Sequence, residues 1–194
     1  MHKVLTAMLG IVMAMTGAEA QTYKTYEMPP YQVERGDGAI ELRAYAAHTV
    51  AEVTVAGDRE AAISTGFRVL AGYIFGGNAA GQSIAMTVPV AQSPVPGTGT
   101  WTVRFMMPAA FDAATLPAPE DARIRLLTVA AERQVALRFS GLRGTTVLDE
   151  KAAALRAWAD SQALTITEGP HFYFYDGPMT LPWNRRNEVA FTVR

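Results

Sequence analysis

Residues Gly66 to Val90 read GFRVLAGYIFGGNAAGQSIAMTVPV, and the fold turns on this stretch. Its first part predicts a helix. Ile63, Phe67, Leu70 and Ile74 recur at spacings of four, three and four, the period of a helix that buries one face. Ala62, Gly66, Val69 and Tyr73 form a second apolar line beside the first. Either both lines sit in the core, or part of one lines a pocket. Upstream, Asp58-Arg59-Glu60 puts acidic side chains at the helix amino terminus, where the macrodipole favours them. Gly76-Gly77-Asn78 breaks the helix. Ser83 to Val90 then predicts a strand, with Pro89 near its end, where a missing N–H is best tolerated.

Towards the amino terminus, Val53 and Val55 belong to a strand that ends at Gly57, and Ile40 to Tyr45 alternates as another. Gln21 to Gly38 is polar, carries Pro29-Pro30 and reads as an extended lead-in. Met1 to Ala20 has a short positive start, an apolar run and a small-x-small site at Ala18-Glu19-Ala20. That is the pattern of a secretory signal peptide, so the mature chain is expected to begin near Gln21 and to be exported, in a bacterium to the periplasm. The run is too short for a spanning helix, which needs about 20 apolar residues, so no membrane span is expected in the mature chain.

Towards the carboxy terminus, Ser93 to Gly99 reads as a Pro/Gly loop, and Trp101, Val103, Phe105 and Met107 alternate as a half-buried strand. The pattern then restarts. Ile124 to Leu126 and Val135 to Phe139 are strands, Leu148, Ala152, Leu155 and Trp158 form a helical stripe, and Phe172 to Tyr175 and Val189 to Val193 are strands. Set without gaps against the stretch from Ile40, the stretch from Ile124 matches at Ile40/Ile124, Leu42/Leu126, Ala46/Ala130, Ala47/Ala131 and Gly57/Gly141. An internal duplication of a strand–strand–helix–strand–strand unit follows. The expected fold is α+β: a single domain over 21–194, a twisted antiparallel β-barrel of two such units with two flanking helices.

The formal net charge is −1, which gives no basic footprint for nucleic acid. There is no cysteine, which excludes disulfides, thiolate metal sites and covalent haem attachment through C-x-x-C-H. Neither G-x-S-x-G, H-E-x-x-H nor a phosphate-binding glycine loop is present.

GF-x-x-L-x-x-YI from Gly66, Asn78 and Met86-Thr87-Val88-Pro89-Val90 resemble the SOUL haem-binding family. So do Leu42-Arg43-x-Tyr45, Phe105, Met107-Pro108, Pro117-Ala118-Pro119, Phe139-Ser140-Gly141, Tyr173-x-Tyr175, Pro178-Met179 and Trp183 to Val189 with its RRNEV. The resemblance spans nearly all of the mature chain. It implies a duplicated barrel with two helices and non-covalent binding of haem or another tetrapyrrole, in an apolar groove near the first helix. The protein would then be a monomeric binder of a small tetrapyrrole, with no catalysis of its own.

A bound haem requires a flat apolar slot, cations for its propionates and, where the iron is ligated, an axial side chain. Phe67, Ala71 and Phe75 share one side of the predicted helix, with Ser64 beside them, and Arg68 is a candidate propionate partner. Some members of the resembled family carry a histidine between the Arg and Tyr of the first strand, where this chain has Ala44. His48 would face the same way as Ala44 if that strand continued, and His171 opens an aromatic strand. These two are the candidate iron ligands, with Met86, Met107 and Met179 as thioether alternatives. Arg185-Arg186-Asn187-Glu188 reads first as an ion-pair network closing the barrel. The rival reading is an enzyme acting on a small apolar molecule or a tetrapyrrole, with Glu188 as base beside Tyr173 or Tyr175. A third is an envelope protein that uses the apolar helix face as a partner surface.

Overall fold

The computed structural model describes residues 21–194, so the signal peptide expected over 1–20 lies outside the described residues. The first helix, α1, runs from Arg59 to Ile74. Asp58 caps it: its carboxylate accepts from the Ala61 amide at 3.0 Å, which satisfies an otherwise orphaned donor. Ala62, Gly66, Leu70, Tyr73 and Ile74 are its buried residues, so the second apolar line of the sequence is mostly the core line. Gly66 is where the helix comes nearest the sheet. A Cβ there would stand 2.6 Å from Cγ2 of Val103.

The Gly/Asn turn is held by one side chain. Asn78 is buried, and its amide donates to the carbonyls of Tyr73 at 3.0 Å and Gln82 at 2.8 Å. Its carbonyl oxygen accepts from the amides of Ala80 and Gln82. Thr87 is buried too and donates to the Met106 carbonyl at 2.6 Å. Between them, Ser83 to Pro89 does not form the strand expected; it makes only single bridges, Phe75 to Ser83 and Glu27 to Thr87. The strand starts later, at Val90, and enters the expected loop as far as Val95, leaving 96–99 as the turn. Pro94 is tolerated there because pairing with the strand on one side ends at Gln92.

The strands are β1 (Gln21–Tyr23), β2 (Tyr26–Met28), β3 (Tyr31–Asp37), β4 (Ile40–Tyr45), β5 (His48–Ala56), β6 (Val90–Val95), β7 (Thr100–Met106), β8 (Arg125–Val129), β9 (Glu132–Phe139), β10 (Ile166–Phe174) and β11 (Asn187–Val193), with a second helix α2 (Thr145–Ser161) between β9 and β10. The lead-in is therefore not merely extended: it supplies the β1–β2 hairpin and an edge strand, β3. The main sheet has nine strands, in the order β3-β4-β9-β11-β10-β6-β7-β5-β8, every described pair antiparallel. Outward from the β10–β6 junction, one arm reads β10, β11, β9, β4 and the other β6, β7, β5, β8. β4 and β8 are thus exchanged between the halves of the chain.

Among the described residues no ladder joins β3 to β8, so the sheet is a strongly curled half-barrel and not the closed barrel expected. Strand alternation sorts the sheet into two faces. Ala51, Val53, Val103 and Phe105 pack with Leu70, Tyr73 and Ile74 of α1. Leu42, Val135, Phe172, Phe174, Val189 and Phe191 pack with Leu148, Leu155 and Ala159 of α2. The alternate residues of the same strands point to the opposite, concave face.

Candidate functional site

Two places could receive a ligand, on opposite faces of the sheet. The first is the outer side of α1. Ser64, Phe67, Arg68 and Phe75 are exposed and Ala71 is half-buried. Phe67, Ala71 and Phe75 follow one another at i, i+4 and i+8, so the three form one stripe about 12 Å long at 1.5 Å per residue. Phe67 is 38 % exposed and Phe75 66 %, which is unusual for phenylalanine on a helix that also anchors a core. Phe67 is braced from below by an edge-on contact with Phe105, ring centroids 5.3 Å apart. Arg68 makes only a local bond, from Nε to the Ser64 carbonyl at 3.3 Å, and forms no ion pair among the described residues. Beyond Arg68 the surface falls into a groove of about 440 Å³ that also takes in Val69, Gly72, Arg123 and Ile124.

The second place is a cavity of about 310 Å³ on the concave face. Tyr45 of β4, His48 and Val50 of β5, Arg104 of β7 and Leu127 of β8 all line it. A flat sheet with strands about 4.8 Å apart could not bring β4 and β8 to one small cavity, so the curl creates it. Its polar wall is a chain of hydrogen bonds. Ser93 and Thr192 hydroxyls lie 2.8 Å and 3.2 Å from Nδ1 and Nε2 of His171. Thr192 donates to Glu132, Gln134 donates to the same carboxylate at 2.7 Å, and Tyr173 donates to Gln134 at 3.0 Å. Burial, and then the charge of Arg104, lowers the His171 pKa to about 4, so the ring is neutral at ordinary pH.

The two histidines proposed from the sequence therefore both line this cavity, apart from the helix residues. β4 ends at Tyr45, so the strand does not continue to His48, which opens β5. His48 lines the concave cavity, whereas Ala44 alternates with Arg43 and Tyr45 and faces the other way. His48 is not the stand-in for a histidine at 44 that a continuous strand would have made it. Its Nδ1 lies 3.0 Å from the Ala46 carbonyl, and burial lowers its pKa. Of the methionines, Met107 is core, Met179 is fully out in solvent, and Met86 is exposed two residues past Ile84, whose amide bonds the Ile74 carbonyl at the end of α1.

Glu188 occupies neither place. It is completely buried, and Arg43 grips it with two hydrogen bonds at 2.7 Å and 3.0 Å. Arg186 adds two to Oε1, at 2.9 Å and 2.7 Å, and the Tyr175 hydroxyl donates to Oε2 at 3.1 Å. Burial would raise the carboxyl pKa, but hydrogen bonds and charge from Arg43, and then Arg186, outweigh it and hold the group below its usual range. A carboxylate so engaged has no basic lone pair to offer a substrate. The arginines are themselves stacked: Arg186 lies 3.9 Å over the Tyr175 ring and Arg43 lies 4.4 Å over Tyr31. The geometry is that of an ion-pair network joining β4 to β11. Nothing in the sequence identified Arg43 as the partner, because it lies 145 residues away.

Known structures share this fold at low sequence identity. A hydrolase from Listeria innocua superposes with TM-score 0.58 at 11 % identity, covering 83 % of this chain and 94 % of its own. The EcmrR carboxy-terminal domain superposes with TM-score 0.62 at 12 % identity, covering 84 % and 98 %. At such identity the likeness speaks for the fold alone. No curated protein sequence matches the chain. The profile of the SOUL heme-binding protein family does match, over residues 26–192, which takes in both helices and all of the main sheet except the last residue of β11. The chain belongs to the SOUL heme-binding protein family.

Proposed function

We propose that the protein binds haem or a related tetrapyrrole non-covalently on the outer side of α1 and acts as a binder without catalysis of its own. The observation that carries this is the exposed Phe67–Ala71–Phe75 stripe with unpaired Arg68 beside it, in a chain of a haem-binding family. The side chains fit the group in two of three respects. The stripe offers a flat apolar surface, and Arg68 is a free guanidinium for a propionate. Imidazole is what this side lacks among the described residues, since His48 and His171 lie across the sheet. Haem would contribute its ring and its two carboxylates here, and recognition would rest on those.

The concave cavity suits haem less well. Its volume is at the low end for a small-molecule pocket, and both nitrogens of His171 already face hydroxyls. The enzyme reading through Glu188 finds no support in the geometry, because that carboxylate is sealed from both faces.

Parallel titrations with haem and iron-free protoporphyrin, followed by absorption, test the proposal. Equal affinity for both is expected, together with a loss of more than tenfold in Phe67→Ser/Phe75→Ser, since about 1.5–3 kcal/mol of apolar burial goes with each ring. Tight haem binding that is abolished by His171→Ala and indifferent to the phenylalanines would overturn it. We also infer a duplicated origin, supported by the two-armed strand order and by Gly57 and Gly141, which fall at matching positions with φ of +120° and +101°. Export rests on residues 1–20, and amino-terminal sequencing of the cell-derived protein, expected to begin at Gln21, tests it.

A further inference from the structure

Two loops at one end of the half-barrel carry the largest group of exposed apolar side chains in the described structure. They are residues 138–144, RFSGLRG, which begin with the last two residues of β9, and 177–186, GPMTLPWNRR. Leu142 is 67 % exposed, Met179 94 %, Leu181 52 % and Trp183 68 %. Neither loop contains an aspartate or glutamate, while together they carry Arg138, Arg143, Arg185 and Arg186. In a chain of net charge −1 that is a local positive field.

The loops are built to hold this arrangement. The Gly141 amide donates to the Pro182 carbonyl at 2.8 Å, and the Asn187 side chain donates to the Gly141 carbonyl at 3.3 Å. Arg185 ties its own loop by donating to the carbonyls of Thr180 at 2.7 Å and Pro178 at 2.9 Å. The apolar side chains thus project from a fixed platform. Arg186 is neutralised by Glu188, and Arg143 folds over the Phe174 ring at 5.2 Å. Arg138 has no side-chain partner among the described residues. It lines a groove of about 440 Å³ with Trp183, Arg185 and Arg186. The acid nearest in sequence, Asp176, is buried and paired with Lys24.

We propose that these two loops are a membrane-contact surface, on which Trp183, Leu181, Met179 and Leu142 enter the interfacial zone of a bilayer while Arg138 and Arg185 meet the phosphates of anionic phospholipid. Tryptophan favours that zone because its indole is apolar with one polar N–H. An apolar tip ringed by arginines and free of acids complements an anionic lipid surface. This inference is independent of the haem reading, whose residues lie on α1.

The test is sedimentation of the full chain with vesicles of equal parts phosphatidylcholine and phosphatidylglycerol, and with phosphatidylcholine alone. Binding to the mixed vesicles is expected to exceed binding to the neutral ones. Arg138→Gln should weaken it about fivefold, the worth of one arginine near an anionic surface. Leu181→Ser/Trp183→Ser should weaken it more than tenfold. Both variants change exposed side chains and should keep the wild-type urea midpoint. Equal binding to neutral vesicles overturns the anionic-lipid assignment. Binding undiminished in Leu181→Ser/Trp183→Ser belongs to residues 1–20 or another surface and overturns the loop assignment. No binding at all overturns both and points to a protein partner for the patch.

Discussion

Replacing Gly66 by alanine probes how tightly α1 lies on the sheet. The added Cβ would stand 2.6 Å from Cγ2 and 2.9 Å from Cβ of Val103, and 3.3 Å from Cγ1 of Val53. Carbon atoms prefer separations of about 3.5–4.0 Å, so the overlap with Val103 is roughly 1 Å. Val103 is fully buried and β-branched, with little freedom to rotate away. Overpacking of this kind costs about 1–3 kcal/mol. Against it stands the gain of about 0.8–1.0 kcal/mol that any helical glycine yields on becoming alanine. Gly72, in the same helix, isolates that gain, because a Cβ there meets nothing within 4 Å. Gly72→Ala should therefore stabilise by about 1 kcal/mol, and Gly66→Ala should fall about 1–3 kcal/mol below it. Urea unfolding followed by far-ultraviolet circular dichroism, with a common m-value, gives both differences. Equal stabilisation by the two substitutions would refute the close approach and, with it, the assignment of the Gly66 line to the core.

Two further substitutions test the concave side. Glu188→Ala leaves the buried guanidinium of Arg186 without a carboxylate partner and Arg43 with Glu41 alone, and should cost about 3–5 kcal/mol in a urea melt, whereas a loss of less than about 1 kcal/mol would mean the network contributes little. His171 has a folded pKa of about 4, below its unfolded value of about 6.5, so the unfolded chain binds more protons between those values. Stability should therefore rise with pH across about pH 4–6.5 and be fully present above it, by a total on the order of 3 kcal/mol from this group. His171→Gln should flatten that part of the profile, and an unchanged slope would assign it to other groups.

The helices were legible because their signal is local. The stripe spacing and the Asp58 cap fix α1 within a single stretch of chain, and Leu148, Leu155 and Trp158 do the same for α2. The strands were legible as alternation, which reveals that two residues share a face but not which way the sheet bends. For that reason Glu132, Gln134, Ser93 and Thr192 gave no warning that they would meet around His171. Pro94 misled because a proline in the sequence signals a break, while in the sheet it sits past the last pairing with β10. His48 misled through the two-residue gap after Tyr45, which puts it on a new strand and so reverses the face inferred for it. Glu188 was visible as a charge entering a strand. Its grip by Arg43 depends on β4 and β11 both flanking β9, which only the long-range topology decides.

The exchange of β4 and β8 between the halves has a consequence for how the chain comes together in time. β4 has no inner neighbour until β9 is made, and β6 none on its β10 side until almost the whole chain exists. Arg43 waits even longer, for a carboxylate 145 residues later. A chain that emerges amino terminus first can form α1 and the β5–β7 ladder early, but the arm from β10 through β11 and β9 to β4 cannot be completed before the last strand appears, and the two arms cannot join before β10 does. Pairings so distant in sequence belong to the slow class of folding, in the range of milliseconds to seconds. The two arms lock together only once β10 and β11 are both in place, close to the carboxy terminus, so α1 and its ladder wait as a partly formed half for the rest of the chain.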